Sequence, residues 1–282
     1  MKYNNILKYL IYGGLFLIPF IPLVISSSMY FPFITGKNFA FRILAEIIIG
    51  LWAVLAVRDG KYRPKFSLIS YAVLAFVAII ALADGFGVYP YKSFWSNYER
   101  MEGLVTLLHL LGLFFAFSSV LKTEKLWSRF FHASIGVSVI LGIYGLFQLS
   151  GAITINQGGV RVDGTLGNAT YLAVYMLFHI FPTFFFMVKR HYRKNTEGGF
   201  FSDYVNYIYG SIIALQTVML YYTASRGPIL GLIGGVFISS ILIVIFEKER
   251  KGIRKTALSV LAAIVVISGS FVAFRDSDFI RS

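Results

Sequence analysis

Lysine and arginine stand at the starts of four apolar runs in this sequence, where a cation does nothing for helix stability. Lys37 and Arg42 flank the start of the run at 39–57. Arg100 precedes the run at 104–121, Arg161 the run at 171–188, and Arg226, in Ser225-Arg226-Gly227-Pro228, the run at 229–246. A helix N-terminus carries unpaired N–H groups and partial positive charge, so a cation there opposes the dipole. An anion held between the N–H groups and the cation removes that opposition. Guanidinium groups match phosphate oxygens bidentately, so the chemistry these positions could perform is phosphate or diphosphate binding. The same cations also suit the edge of a lipid bilayer, where Lys and Arg extend their charged tips to the headgroups.

The stretch Gly158-Gly159-Val160-Arg161-Val162-Asp163-Gly164-Thr165-Leu166-Gly167-Asn168 is glycine-rich, which lets backbone N–H groups approach a phosphate, and it ends in an N-cap at Asn168 or Thr170. It lacks the GxxxxGK[ST] spacing of a nucleotide loop, and a plain glycine turn fits it equally well. Arg42 and Glu46, four residues apart, read as a pair on one helix face. His109, Gln148, His179 and Gln216 lie within apolar runs and read as interhelical hydrogen bonds. There is no Cys, no HExxH and no zinc-ligand spacing of His, so neither a metal nor another cofactor is expected.

The elements that position these residues follow from composition. Of 282 residues, 57% are hydrophobic and 14% charged, with a mean hydropathy of +0.72, which excludes a disordered chain, a coiled coil and an ordinary soluble enzyme. Nine apolar runs, at 7–25, 39–57, 66–83, 104–121, 131–149, 171–188, 207–222, 229–246 and 256–274, each approach the ~20 residues of a membrane-spanning helix. The expected fold is all-α: one polytopic membrane domain over residues 1–282. With the N-terminus inside, the inner segments hold 18 Lys or Arg and six Asp or Glu. The outer segments hold seven cations and six acids, a net of +12 against +1. Cationic loops stay in the cytoplasm, so the excess reports topology, and nucleic acid is not an expected partner. The first run, flanked by Lys2, Lys8 and Ser26-Ser27-Ser28, also has features of a cleavable signal peptide, although its length, Pro19 and Pro22 favour a retained span.

Three outer segments together resemble the O-antigen ligase family, which includes O-antigen ligases, O-antigen polymerases and bacterial protein O-oligosaccharyltransferases. They are Tyr91-Lys92-Ser93-Phe94-Trp95-Ser96-Asn97-Tyr98-Glu99-Arg100-Met101-Glu102-Gly103, Arg161-Val162-Asp163-Gly164-Thr165-Leu166-Gly167-Asn168, and Ser225-Arg226-Gly227 ahead of a run. Each motif is short; their order, sidedness and spacing carry the resemblance, which covers nearly the whole chain. It implies a multi-span glycosyltransferase in the cytoplasmic (inner) membrane. Such an enzyme takes glycan from an undecaprenyl-diphosphate donor and passes it to a glycan, a lipid A core or a protein hydroxyl. Arg161 and Arg226 match the family's diphosphate-holding arginines and are the expected catalytic residues. Tyr98, Glu99, Arg100, Gly164, Asn168 and Ser225 are the expected substrate contacts. The family also has a large outer loop bearing a histidine that activates the acceptor, followed by further spans. The chain ends ahead of that loop, so the resemblance implies an N-terminal portion without the base. Glu99, Glu102 and Asp163 are the alternative bases within it. A transporter or flippase of lipid-linked glycan is the competing expectation, to which an intramembrane Arg42–Glu46 pair would be suited.

Overall fold

The computed structural model describes residues 2–97, 100, 102–156, 159–193 and 203–274. Among them there are α-helices and short 3-10 turns and no strand. Each of the nine apolar runs is a helix: α1 (Lys2–Leu17), α2 (Thr35–Arg58), α3 (Leu68–Gly85), α5 (Leu104–Val120), α6 (Glu124–Leu149), α7 (Ala169–Arg193), α8 (Tyr204–Tyr222), α9 (Arg226–Phe246) and α10 (Lys251–Phe274). The tenth, α4 (Pro90–Trp95), lies in the connection between α3 and α5 and was not expected. Pro90 opens it, and its carbonyls reach α5 only because Gly103 has no side chain: a Cβ there would stand 2.3 Å from the Phe94 carbonyl oxygen.

Helices run past the apolar segments where capping allows. The Thr123 hydroxyl accepts the Leu126 N–H, so α6 begins seven residues before its apolar run and carries Lys125 and Arg129 on helical backbone. After α1 the chain tightens into a 3-10 turn over Ile18–Leu23, where Pro22 has no N–H to continue an α-helix.

The chain is a helical, multi-pass membrane protein. Among the described residues, six helical segments are long and apolar enough to cross a bilayer: Tyr3–Leu23, Thr35–Arg58, Leu68–Gly85, Glu124–Leu149, Ala169–His191 and Arg226–Phe246. The other three expected spans differ for separate reasons. α5 is apolar but has 17 residues. α8 has 19 residues, diluted by Asn206, Gln216 and five tyrosines. α10 ends at the limit of the described residues. Large apolar side chains such as Leu68, Ile79, Phe178 and Phe246 face outward, as contact with lipid requires.

Two packed cores hold the bundle. One joins α1, α2 and α5 through Ile11, Leu15, Ile48, Leu55, Leu113 and Ala116. The other joins α6, α7 and α8 through Val137, Leu141, Leu172, Met176 and Met219, and takes in Val162 from the glycine-rich loop. Polar side chains tie the same helices. Gln216 Nε2 donates to Ser138 Oγ at 2.8 Å and to Thr183 Oγ1 at 3.2 Å, and His179 Nε2 is 2.8 Å from Ser134 Oγ. These are the interhelical bonds expected of Gln216 and His179.

Arg42 and Glu46 interact electrostatically, as their spacing suggests, and each also has a partner on α5. They share the face of α2 that packs on α5. Arg42 Nη2 donates to Thr106 Oγ1 at 3.1 Å, and Glu46 Oε1 lies 3.0 Å from His109 Nε2. Thr106 and His109 are three apart and so share a face of α5, which gives both α2 side chains a partner across the interface as well.

Candidate functional site

The segments carrying the expected cations converge at one end of the bundle, and the glycine-rich loop is their junction. Val162 N–H donates to the Tyr222 carbonyl at 3.2 Å, which lays the loop along the α8–α9 connection. Arg161 then reaches over that connection. Its Nε donates to the Thr223 carbonyl at 2.8 Å, and its Nη2 donates to Ser225 Oγ at 3.0 Å. A guanidinium has five N–H donors; the remaining three make no hydrogen bond with the described residues.

Ser225 stands at the N-cap of α9, yet its hydroxyl caps no backbone N–H. It is engaged by Arg161 instead. The first N–H groups of α9, on Arg226 and Gly227, therefore have no partner among the described residues, and Pro228 has no N–H. The Arg226 side chain is exposed, without hydrogen bond or ion pair among the described residues. Ala224, between the two Arg161 contacts, has φ 48°. A non-glycine residue in the left-handed region is strained, and such strain persists only where surrounding contacts over-determine it. The other non-glycine residue with positive φ among the described residues is Ser96, at φ 64°, in the segment leading to Arg100.

The rest of the loop is fastened at four points. Asp163 is fully buried; it accepts Gln148 Nε2 at 2.7 Å and the Asn156 N–H at 2.9 Å. Gln148 Oε1 in turn accepts the Gly164 N–H at 2.8 Å. Thr165 ties the loop to the first third of the chain, since its carbonyl accepts Lys37 Nζ at 2.7 Å and its hydroxyl donates to the Pro22 carbonyl at 2.8 Å. Gly167, at φ 61°, closes against Phe33, whose Cγ would lie 2.4 Å from a Cβ. Asn168 then caps α7, its Oδ1 accepting the N–H groups of Thr170 at 2.8 Å and Tyr171 at 3.2 Å. Arg100 joins the same end, because Asn38 on α2 donates to its carbonyl.

Of the expected site residues, Arg161 and Ser225 are in contact, Arg226 adjoins them, and Arg100 reaches the same end through α2. Gly164 and Asn168 are committed to loop structure through the bonds given above. Tyr98 and Glu99 lie outside the described residues. Among the bases considered, Asp163 is enclosed by its donors and has no exposed surface, while Glu102 is exposed. Gln148 is reassigned: it binds the loop, not a neighbouring helix. Lys37 proves to be half-buried between the Phe33 and Thr165 carbonyls, a role that a cation near a helix start does not reveal.

The Lys and Arg ion pairs of the described residues lie at the opposite end of the bundle, where Lys125 and Arg129 nonetheless have none. Lys37, Arg161 and Arg226 have no carboxylate partner among the described residues. At the opposite end, Lys61 pairs with Asp59 at 3.0 Å, Lys189 with Glu124, and Arg190 with Asp203 at 2.7 Å. Arg58 there donates to Asn4, and Lys122 to the Lys61 carbonyl. Among the described residues no three His, Asp or Glu side chains gather as metal ligands would. What the loop end can do is hold an anion between guanidinium groups and open N–H groups. No family model, curated protein or solved structure matches the chain.

Proposed function

We propose that this protein is an O-antigen ligase-like glycosyltransferase with nine spans. Its N-terminus is in the cytoplasm, and its loop end faces outward from the cytoplasmic membrane. The observation that carries the reading is Arg161 docked on Thr223 and Ser225, immediately before an unpartnered Arg226. The two residues that the family resemblance makes catalytic come from distant segments, and Arg161 docks beside the uncapped helix start that Arg226 opens.

The chemistry follows from that placement. The donor is a glycan on undecaprenyl diphosphate, and the acceptor is a hydroxyl of a glycan, a lipid A core or a protein. The bond from the anomeric carbon to the diphosphate oxygen breaks as the acceptor oxygen attacks that carbon and gives up its proton to a carboxylate base, for which Glu99 and the exposed Glu102 are the candidates. Negative charge grows on the leaving diphosphate. Guanidinium groups and N–H dipoles fixed in place beforehand stabilise that charge, and they act most strongly in a site shielded from water. Arg161 is held in position by two hydrogen bonds and still has donors to offer; Arg226 is free to close on the second phosphate.

The test is transfer of radiolabelled glycan from a polyprenyl-diphosphate donor in membranes containing the protein. Arg161→Ala and Arg226→Ala should each reduce transfer by roughly 10²–10³-fold with expression intact, the scale of losing one oxyanion donor. Transfer near the unaltered level in both variants would overturn the assignment. A flippase of the same lipid is favoured by the Glu46–His109 pair within the helices. It would move the donor between leaflets and leave the glycan attached.

A further inference from the structure

At the end of the bundle opposite Arg161, α6, α7 and α8 line a half-open cavity of about 1250 Å³. Small-ligand sites are typically about 300–1,000 Å³, so this one has room for a headgroup and the first part of its acyl chains. The rim is cationic. Lys125 and Arg129 stand one turn apart at the start of α6, and Lys189 and Arg190 at the end of α7. Glu124 and Asp203 match the two α7 cations. Lys125 and Arg129 are exposed and have no carboxylate partner among the described residues. Like charges four apart on a helix repel, and the positive end of the α6 dipole adds to both. A bound anion relieves all three terms.

Three rings, those of His132, Phe186 and Tyr209, contribute to the lining. Phe186 is buried, with its ring centroid 4.4 Å from that of His132. The His132 Nδ1–H donates to the Ser128 carbonyl at 2.6 Å, and the Tyr209 hydroxyl donates to Nε2 at 2.7 Å. These polar atoms satisfy one another, which leaves the rings of His132, Phe186 and Tyr209 as the apolar part of the lining. A soluble phosphate compound would use the rim alone. A phospholipid would use both, and basic pockets between membrane helices hold anionic headgroups in this way.

We propose that this cavity binds an anionic glycerophospholipid, with the phosphodiester on Lys125 and Arg129 and the glycerol and upper acyl chains along Phe186 and Tyr209. The proposal is independent of the glycan-transfer reading.

The test counts phosphatidylglycerol and phosphatidylcholine retained by the purified 282-residue chain, by native mass spectrometry from a neutral detergent. Phosphatidylglycerol should be retained in preference. The Lys125→Gln/Arg129→Gln variant should lower its affinity by roughly 30-fold, equivalent to about 1 kcal/mol per cation. Lys248→Gln/Lys251→Gln, which removes two cations outside the cavity, should leave it unchanged, and millimolar glycerol phosphate should not displace the lipid. Equal retention of the two lipids would overturn the proposal, as would an equal loss in the control variant. Complete displacement by glycerol phosphate would also overturn it, and would assign the rim to a soluble phosphate ligand.

Discussion

Arg161 Nη2 donates to the Ser225 hydroxyl at 3.0 Å, across 64 residues of chain. That hydroxyl is the one positioned to cap α9. Because a guanidinium occupies it, the helix start keeps open N–H groups beside Arg226, and the cation that opposes the dipole gains a reason to be there. Two features unfavourable to helix stability, a missing cap and a cation at the first position, become favourable together once an anion is bound.

Ser225 separates positioning from capping. Ser225→Ala leaves Arg161 with only the Thr223 carbonyl, so diphosphate affinity should fall by roughly tenfold, the equivalent of one hydrogen bond to a charged group. Melting temperature should barely move, because no cap bond is lost. If the hydroxyl served α9 alone, the reverse would be seen: a stability loss of about 1 kcal/mol with affinity unchanged.

Gln148 should matter for stability more than for binding. Gln148→Leu strips Asp163 of a donor at 2.7 Å and Gly164 of its acceptor. A buried carboxylate left short of donors costs about 3 kcal/mol, so thermal unfolding in detergent should move down by several degrees. Asp163→Asn, which removes the charge but keeps an acceptor, should cost less. A Gln148→Leu variant as stable as the parent would show that the loop is held elsewhere.

Much of the architecture was legible because lipid imposes a simple demand. Apolar runs of span length must be helical to satisfy their backbone, and all nine are. Asn168 was legible as a cap because its role is local. Gln216 and His179 were legible as interhelical bonds because a polar group in an apolar run must find a partner on a neighbour. What stayed hidden depends on which helices meet. Arg42 and Glu46 fit an intrahelical pair by spacing, but their further partners Thr106 and His109 depend on the seam with α5. Gln148 resembles Gln216 in sequence, but it sits in the last turn of α6, where the nearest polar surface is the loop. Asp163 looked like an accessible base because nothing local announces its burial. The span count blurred at α8, where tyrosines dilute an otherwise apolar helix.

Topology can be read with introduced thiols, since the chain has no Cys of its own. Cys placed at Ser96 or Val160 should react with an impermeant maleimide in intact cells, and Cys at Lys125 should react only after lysis. Reaction at Lys125 in intact cells would invert or abolish the proposed orientation, and with it the outward placement of Arg161.

The most direct measurement is equilibrium binding of undecaprenyl diphosphate to the purified chain in nanodiscs, compared with Arg161→Ala, Arg226→Ala and Arg161→Lys. Each alanine variant should bind at least about tenfold more weakly, as expected for losing a charge-assisted bond. Arg161→Lys should also be weak, because a point charge cannot hold Thr223, Ser225 and a phosphate together. Unchanged affinity in both alanine variants would contradict the claim that Arg161 and Arg226 form one diphosphate site.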